Sequence, residues 1–200
     1  MVHQLRADGA IVVDTRPVAD YAAGHIPGAV SIPLRDQFAT WLGWLIEAST
    51  PVVIVRNPDQ DPADIVWAAV NIGFNGLIGE LADGIDTWAA AGHRLATTPL
   101  VRPGDLATDR QRVLDVRQDS EHAGGHLPTA AHIELGALAD ADAATLPRAD
   151  RTVLTMCGHG ERAASAASLL ERRGYFDLAI LDGGPRDWAS ASGADLITDD

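Results

Sequence analysis

Displaced by 101 residues, the first half of this sequence falls on its second half. Val12-Val13-Asp14-Thr15-Arg16 lies over Val113-Leu114-Asp115-Val116-Arg117, and Gly24-His25-Ile26-Pro27 over Gly125-His126-Leu127-Pro128. The register continues through Pro51-Val52-Val53-Ile54-Val55 over Thr152-Val153-Leu154-Thr155-Met156. After a one-residue slip, Gly84-x-x-x-Trp88 meets Gly184-x-x-x-Trp188. A duplicated chain of 200 residues folds as two like units of about 100 residues, a size at which each unit can hold its own core.

Within each unit, short apolar runs alternate with helical stretches. Residues 11–14 and 113–116 suit strands buried on both faces. Residues 64–72 and 163–173 have helical composition, the second running to Gly174 as a C-cap, and 179–181 is a further strand closed by Asp182-Gly183-Gly184. This alternation predicts an α/β fold in each unit: a mostly parallel central sheet with helices on both faces. Residues 97–104, with their threonines and prolines, are expected to link the units, which sets the domains at 1–97 and 98–200. Ahead of its first strand the second unit has residues 100–106, where the first has only 1–4. On that asymmetry the chain is expected to be a piece of a longer polypeptide.

The formal net charge is −13, and every one of the fifteen cations is arginine. The acidic excess is shared, with 5 Arg against 11 acids in residues 1–100 and 10 against 17 in residues 101–200. Such a surface repels phosphate backbones and anionic lipid, which argues against nucleic-acid and membrane-surface roles. Cys157 is the one cysteine, so there is no internal disulfide and no multi-cysteine zinc or iron–sulfur site. No metal and no cofactor is expected. No apolar run approaches the ~20 residues of a spanning helix, and the first residues lack the apolar core of a secretory signal. The expected compartment is the cytoplasm, where a lone thiol stays reduced.

The stretch Thr152-Val153-Leu154-Thr155-Met156-Cys157-Gly158-His159-Gly160-Glu161-Arg162-Ala163 carries the chemistry. A strand runs directly into Cys157, a loop with two glycines follows, and then an Ala/Ser-rich helix. Ligands of parallel α/β sheets bind beyond the carboxyl ends of the strands. Glycines let successive N–H groups turn inward, the helix start adds partial positive charge, and Arg162 adds a full cation. Together these favour the thiolate of Cys157, and so a nucleophile. A buried structural cysteine is the competing expectation.

In order, Asp-x-Arg, Gly-His-x-Pro, Cys-x-x-Gly-x-Arg and Gly-Gly-x-x-x-Trp resemble the pattern of rhodanese (sulfurtransferase) domains, twice over and along nearly the whole chain. The resemblance implies two tandem rhodanese-like domains. It implies Cys157 as the persulfide-forming nucleophile, with Gly158, His159, Gly160, Glu161, Arg162 and Ala163 forming its substrate-binding loop. The implied donor is thiosulfate or a low-molecular-weight persulfide, and the implied acceptor cyanide, sulfite or a thiol. Phosphatases built on a related loop place one residue more between cysteine and arginine, so the shorter spacing favours sulfur chemistry over a phosphatase or arsenate-reductase activity. A non-enzymatic sulfur carrier or regulatory module is the remaining alternative. The run Phe38-x-x-Trp41-Leu42-Gly43-Trp44-Leu45 is similar to the tandem rhodanese part of persulfide dioxygenase–rhodanese fusions. That similarity implies a fused or partner metallo-β-lactamase-type dioxygenase domain, which these residues do not contain.

In the first unit Arg56 stands over Cys157 and Asp61 over Arg162, and the loop 56–62 has two prolines and no glycine. Without a nucleophile or a full set of amides, the domain 1–97 is expected to be catalytically inactive. Asp14/Arg16 and Asp115/Arg117 share a strand face near its end and are expected to support the loops rather than react. His25 and His126 are expected to anchor turns. Arg186, just past Gly184, is a weaker candidate for anion binding, and Trp41 and Trp44 suit a core or an interface.

Overall fold

The computed structural model describes residues 2–199, which form two compact units, 1–97 and 98–200. The first runs α1 (Val2–Ala7), β1 (Ile11–Asp14), α2 (Val18–Ala23), β2 (Val30–Ser31), α3 (Phe38–Leu45), β3 (Val52–Val55), α4 (Pro62–Asn71), β4 (Leu77–Glu80) and α5 (Ile85–Ala90). The second runs β5 (Leu100–Val101), a 3₁₀ turn (Pro103–Asp105), β6 (Arg112–Asp115), α6 (Asp119–Ala123), β7 (Ala131–His132), α7 (Leu135–Leu138), β8 (Val153–Met156), α8 (Glu161–Arg172), β9 (Leu178–Leu181) and α9 (Pro185–Ser192).

The sheets are ordered β2-β1-β3-β4 and β5-β9-β8-β6-β7, and every pairing between these strands is parallel. Both units are therefore α/β, and the duplication extends into their cores. Val12, Ile26, Val55 and Trp88 pack in one cluster, and Val113, Leu127, Met156 and Trp188 pack in the other. Strands β3 and β8 are buried along their whole length, which is why they read as unbroken apolar runs.

Of residues 97–104, expected as a linker, all but Thr97 belong to the second unit instead. Leu100–Val101 pairs with β9, and the turn behind it packs on α9. The N–H groups of Ile180 and Asp182 donate to the carbonyls of Pro99 and Val101, both at 2.9 Å. Proline lacks only the donor, and an edge strand that offers carbonyls to its one neighbour loses little by it. Helix α8 ends with Arg173 as its C-cap, and Gly174, at φ +89°, takes the left-handed position one residue further on. Trp41 is buried in the first unit, whereas Trp44 and Trp67 are exposed.

Candidate functional site

The backbone scaffold beneath both loops is the same. Arg16 grips Asp14 through Nε–Oδ1 at 2.9 Å and Nη2–Oδ2 at 2.6 Å, and donates to the Gly24 carbonyl at 2.7 Å. Arg117 repeats this on Asp115 (2.9 and 2.6 Å) and on the Gly125 carbonyl (2.9 Å). A second nitrogen of Arg117, Nη1, reaches the Glu121 carbonyl at 2.9 Å. Both pairs are buried, so each cation is held by acceptors on several sides. His25 and His126 bond the carbonyls of Tyr21 and His122 through Nδ1, at 2.9 and 3.1 Å. They also form isolated bridges with Ala96 and Ile197. In both units the histidine ties a turn to the end of its unit.

On this scaffold Cys157 follows β8 directly, and its Sγ accepts the Gly160 N–H at 3.1 Å. Gly160 has φ +99°, a left-handed conformation that lets the loop fold back on the sulfur before α8 begins. The sulfur therefore lies beside the start of a twelve-residue helix, where backbone amides favour negative charge. Cys157 is only 1% exposed. The loop is held from the other side by Gly184, where an added Cβ would lie 2.7 Å from the Gly158 carbonyl oxygen and 3.0 Å from that of Cys157. Gly184 is itself pinned, its N–H donating to Asp187 at 2.8 Å.

A cavity of about 450 Å³ adjoins this loop, lined by Gly158, His159, Gly184, Arg186, Ser120 and Glu121 among others. His159 and Arg186 are exposed on its wall. Cys157, Gly160, Glu161, Arg162 and Ala163 do not line it; Ala163 is buried inside α8, its carbonyl accepting the Thr155 hydroxyl at 2.8 Å.

Arg162, expected in the substrate-binding loop, is paired with a carboxylate. Its guanidinium is bidentate on Glu121, Nη1–Oε2 at 2.6 Å and Nη2–Oε1 at 2.8 Å. That bond holds the Glu121 carboxyl below the usual range and raises Arg162 above its ordinary value. Its charge is thus neutralised by a carboxylate on α6 before any anion arrives. Arg117 is likewise engaged, which leaves Arg186 as the described cavity-lining arginine with its charge uncommitted. Sequence reasoning missed Glu121, although an acid occupies the matching position, Asp20, in the first unit. Asp20 also ties its helix to the loop after β3, accepting from Asn57 Nδ2 at 2.5 Å.

Around the Asp115 carboxylate three imidazoles stack: His122 lies 3.9 Å from His126 and 4.0 Å from His132, centroid to centroid. Burial pushes His122 below its ordinary value, partly opposed by its bond to Asp115 at 3.1 Å. Among the described residues, His122, His126 and Asp199 bring three metal-ligating side chains close together. The two rings lie within 10° of parallel, so their in-plane lone pairs do not converge on one ion.

In the first unit the loop is built in reverse. Arg56 donates to the carbonyls of Asn57 and Gln60 (3.2 and 2.9 Å) and grips Glu80 at 2.6 and 3.1 Å. Gln60 fills the rest, accepting from the Asn57 N–H at 2.8 Å and donating to the Thr15 carbonyl at 2.7 Å. Asp61 caps α4 through the Ala63 N–H at 2.8 Å.

A family model described as "Rhodanese-like domain" matches residues 1–91 and again 104–191. The chain belongs to the rhodanese-like family. Among its rhodanese relatives, thiosulfate sulfurtransferase GlpE of Pseudomonas paraeruginosa is 33% identical over 93 residues, 46% of this chain and 83% of that protein. The protein of the same name from Pseudomonas fluorescens is 35% identical over 85 residues, 42% of this chain and 75% of its own length. A crystal structure of thiosulfate sulfurtransferase from Pseudomonas aeruginosa aligns with 99% of this chain and 43% of its own, at 19% identity and a TM-score of 0.43. This chain thus spans less than half of that protein. No helix among the described residues is long and apolar enough to cross a membrane.

Proposed function

We propose that this rhodanese-like chain is a sulfurtransferase whose second domain, 98–200, carries sulfane sulfur on Cys157, and whose first, 1–97, is catalytically inert. The observation that carries this reading is the Gly160 N–H aimed at the Cys157 sulfur at 3.1 Å, at a strand-to-helix junction beside a cavity bearing Arg186. The names of the relatives favour thiosulfate as a donor. A low-molecular-weight persulfide suits the same chemistry.

In the first half-reaction the Cys157 thiolate attacks the outer sulfur of thiosulfate. A new S–S bond forms, the donor's S–S bond breaks, and sulfite leaves with the electron pair. In the second, cyanide, sulfite or a thiolate attacks the terminal sulfur of the Cys157 persulfide and regenerates the thiolate. The loop amides offset the negative charge that passes between these sulfurs, the logic of an oxyanion hole. Arg186 and His159 draw the anionic donor into the cavity, with Gly158 at its floor. Glu161 and Ala163 serve as backbone at the start of α8, while Arg162, held by Glu121, fixes α6 against the loop. Asp115 and Arg117 support the arrangement from below. A phosphatase would need the loop arginine for its own substrate, so the Glu121 bond weighs against that alternative.

The burial of Cys157 favours one second reading, a sulfur carrier whose loop is opened by a partner such as a fused or separate metallo-β-lactamase-type dioxygenase. A cytoplasmic setting keeps the thiol reduced under either reading. Intact-mass measurement after incubation with thiosulfate or glutathione persulfide is the test. The wild type gains one sulfur atom, Cys157→Ser gains none, and cyanide removes the gain with release of thiocyanate. An unchanged wild-type mass under persulfide-preserving conditions refutes sulfur transfer, and a gain that no small acceptor removes favours the carrier.

A further inference from the structure

Arg117, Arg162 and Arg186 bring positive charge to the loop of Cys157, and an acid answers each of them. Arg117 is held by Asp115 and Arg162 by Glu121, while Arg186 is followed by Asp187 on the cavity wall. The charges of these side chains cancel, so an entering donor anion meets no net attraction from them.

The Glu121–Arg162 pair is turned with its acid outward. Glu121 lines the cavity, and its side chain is 40% exposed against 17% for Arg162. The guanidinium is one step behind the wall: an added Cβ on Gly158, which lines the same cavity, would lie 3.8 Å from Arg162 Nη2. A carboxylate thus stands between the loop's own cation and the space a donor would fill. Tying helix to loop does not require this charge. In the first unit the acid at the matching position, Asp20, makes the tie to the neutral amide of Asn57.

We propose that Glu121 sets the charge preference of the Cys157 site. By holding Arg162 and presenting its own carboxylate to the cavity, it turns the site away from doubly charged sulfur donors and toward singly charged ones. With Cys157 as the sulfur acceptor, the premise on which this rests, Coulomb energy grows with the charge of the donor. Removing one carboxylate charge therefore favours a dianion over a monoanion of similar shape.

Thiosulfate and methanethiosulfonate form the matched pair, since a methyl group in the second replaces an anionic oxygen of the first. Each gives its outer sulfur to the Cys157 thiolate as the donor S–S bond breaks, and sulfite or methanesulfinate leaves with the electron pair. The readout is the ratio of kcat/KM for the two donors, measured on the full chain with cyanide as acceptor. Glu121→Gln, which keeps the shape and leaves the Arg162 charge unopposed, raises the thiosulfate-to-methanethiosulfonate ratio roughly tenfold. The gain comes chiefly from a lower KM for thiosulfate, and added salt shrinks it. Arg162→Gln, which leaves the carboxylate unopposed, lowers the ratio, and the double variant returns it toward wild type. A merely structural bond would slow both donors alike, and Arg162→Gln carries the test where Glu121→Gln melts early. Intact mass keeps the two levels apart, because wild-type protein that gains no sulfur from either donor refutes Cys157 as the acceptor. Sulfur gained from both donors, with a ratio that Glu121→Gln leaves unchanged or lowers, overturns the role of Glu121 alone. So does an unchanged ratio in Arg162→Gln.

Discussion

After β3 the chain turns carbonyls toward a cation, and after β8 it turns an amide toward a sulfur. Arg56 collects the carbonyls of Asn57 and Gln60, whereas Cys157 collects the N–H of Gly160. Yet the two loops stand on the same Asp–Arg clamps and the same histidine-tied turns. The difference teaches that the scaffold does not choose the loop's polarity. The residue at the strand end does: a guanidinium demands acceptors and a thiolate demands donors. Glycine at 160 then permits the left-handed backbone that brings the donor round.

The hardest way to break this contrast is to move the nucleophile. In a Cys157→Ser background, Arg56→Cys restores no sulfur acceptance by intact mass, because Pro58 and Pro62 lack N–H groups and Gln60 occupies the loop. Any persulfide at position 56 would show that a cysteine alone suffices. Next in size, Gly184→Ala forces a methyl against the Cys157 and Gly158 carbonyls and lowers thiocyanate formation about 100-fold or more. Gly84→Ala, its counterpart, meets only the Arg56 carbonyl at 3.5 Å. Its cost, about 1 kcal/mol, comes instead from the residue's φ of +76°. It shows in the thermal melt and leaves transfer intact.

The smallest effect separates the two aromatic stacks. His122 is held below its ordinary value by burial, so the unfolded chain binds a proton there more readily than the folded one. Stability is complete above the unfolded value, about 6.5, and falls as pH drops through it. The melt of the second unit shifts down by roughly 2–4 °C on acidification. Tyr21 holds the matching place in the first unit, stacked on His25 at 3.9 Å. Replacing His122→Tyr accordingly flattens that dependence, and an unchanged pH profile would place the titration elsewhere.

Most of the architecture was legible because its signals are local. Strands buried on both faces leave apolar runs, and the repeat doubles each of them, as at Val53 and Leu154. Strand β5 was not legible: two residues among prolines carry no periodicity, and what holds them is the backbone of β9. The site was half legible. Cys157 and its glycines are contiguous, so their placement follows from the strand before and the helix after. The Glu121–Arg162 bond joins residues 41 apart, and charge alone does not name an arginine's partner. The repeat did hold the signal, in the acid shared by positions 20 and 121. The same bond engages Arg162, while Arg186 lines the cavity.

The match to the family begins its second span at residue 104, downstream of Leu100–Val101. A truncation cut there would strip β9 of its outer neighbour, leaving the amides of Ile180 and Asp182 bare and a sticky margin prone to aggregation. Excising the cysteine-bearing half intact therefore means starting at Thr98, with the proline-rich stretch retained as part of the folded body.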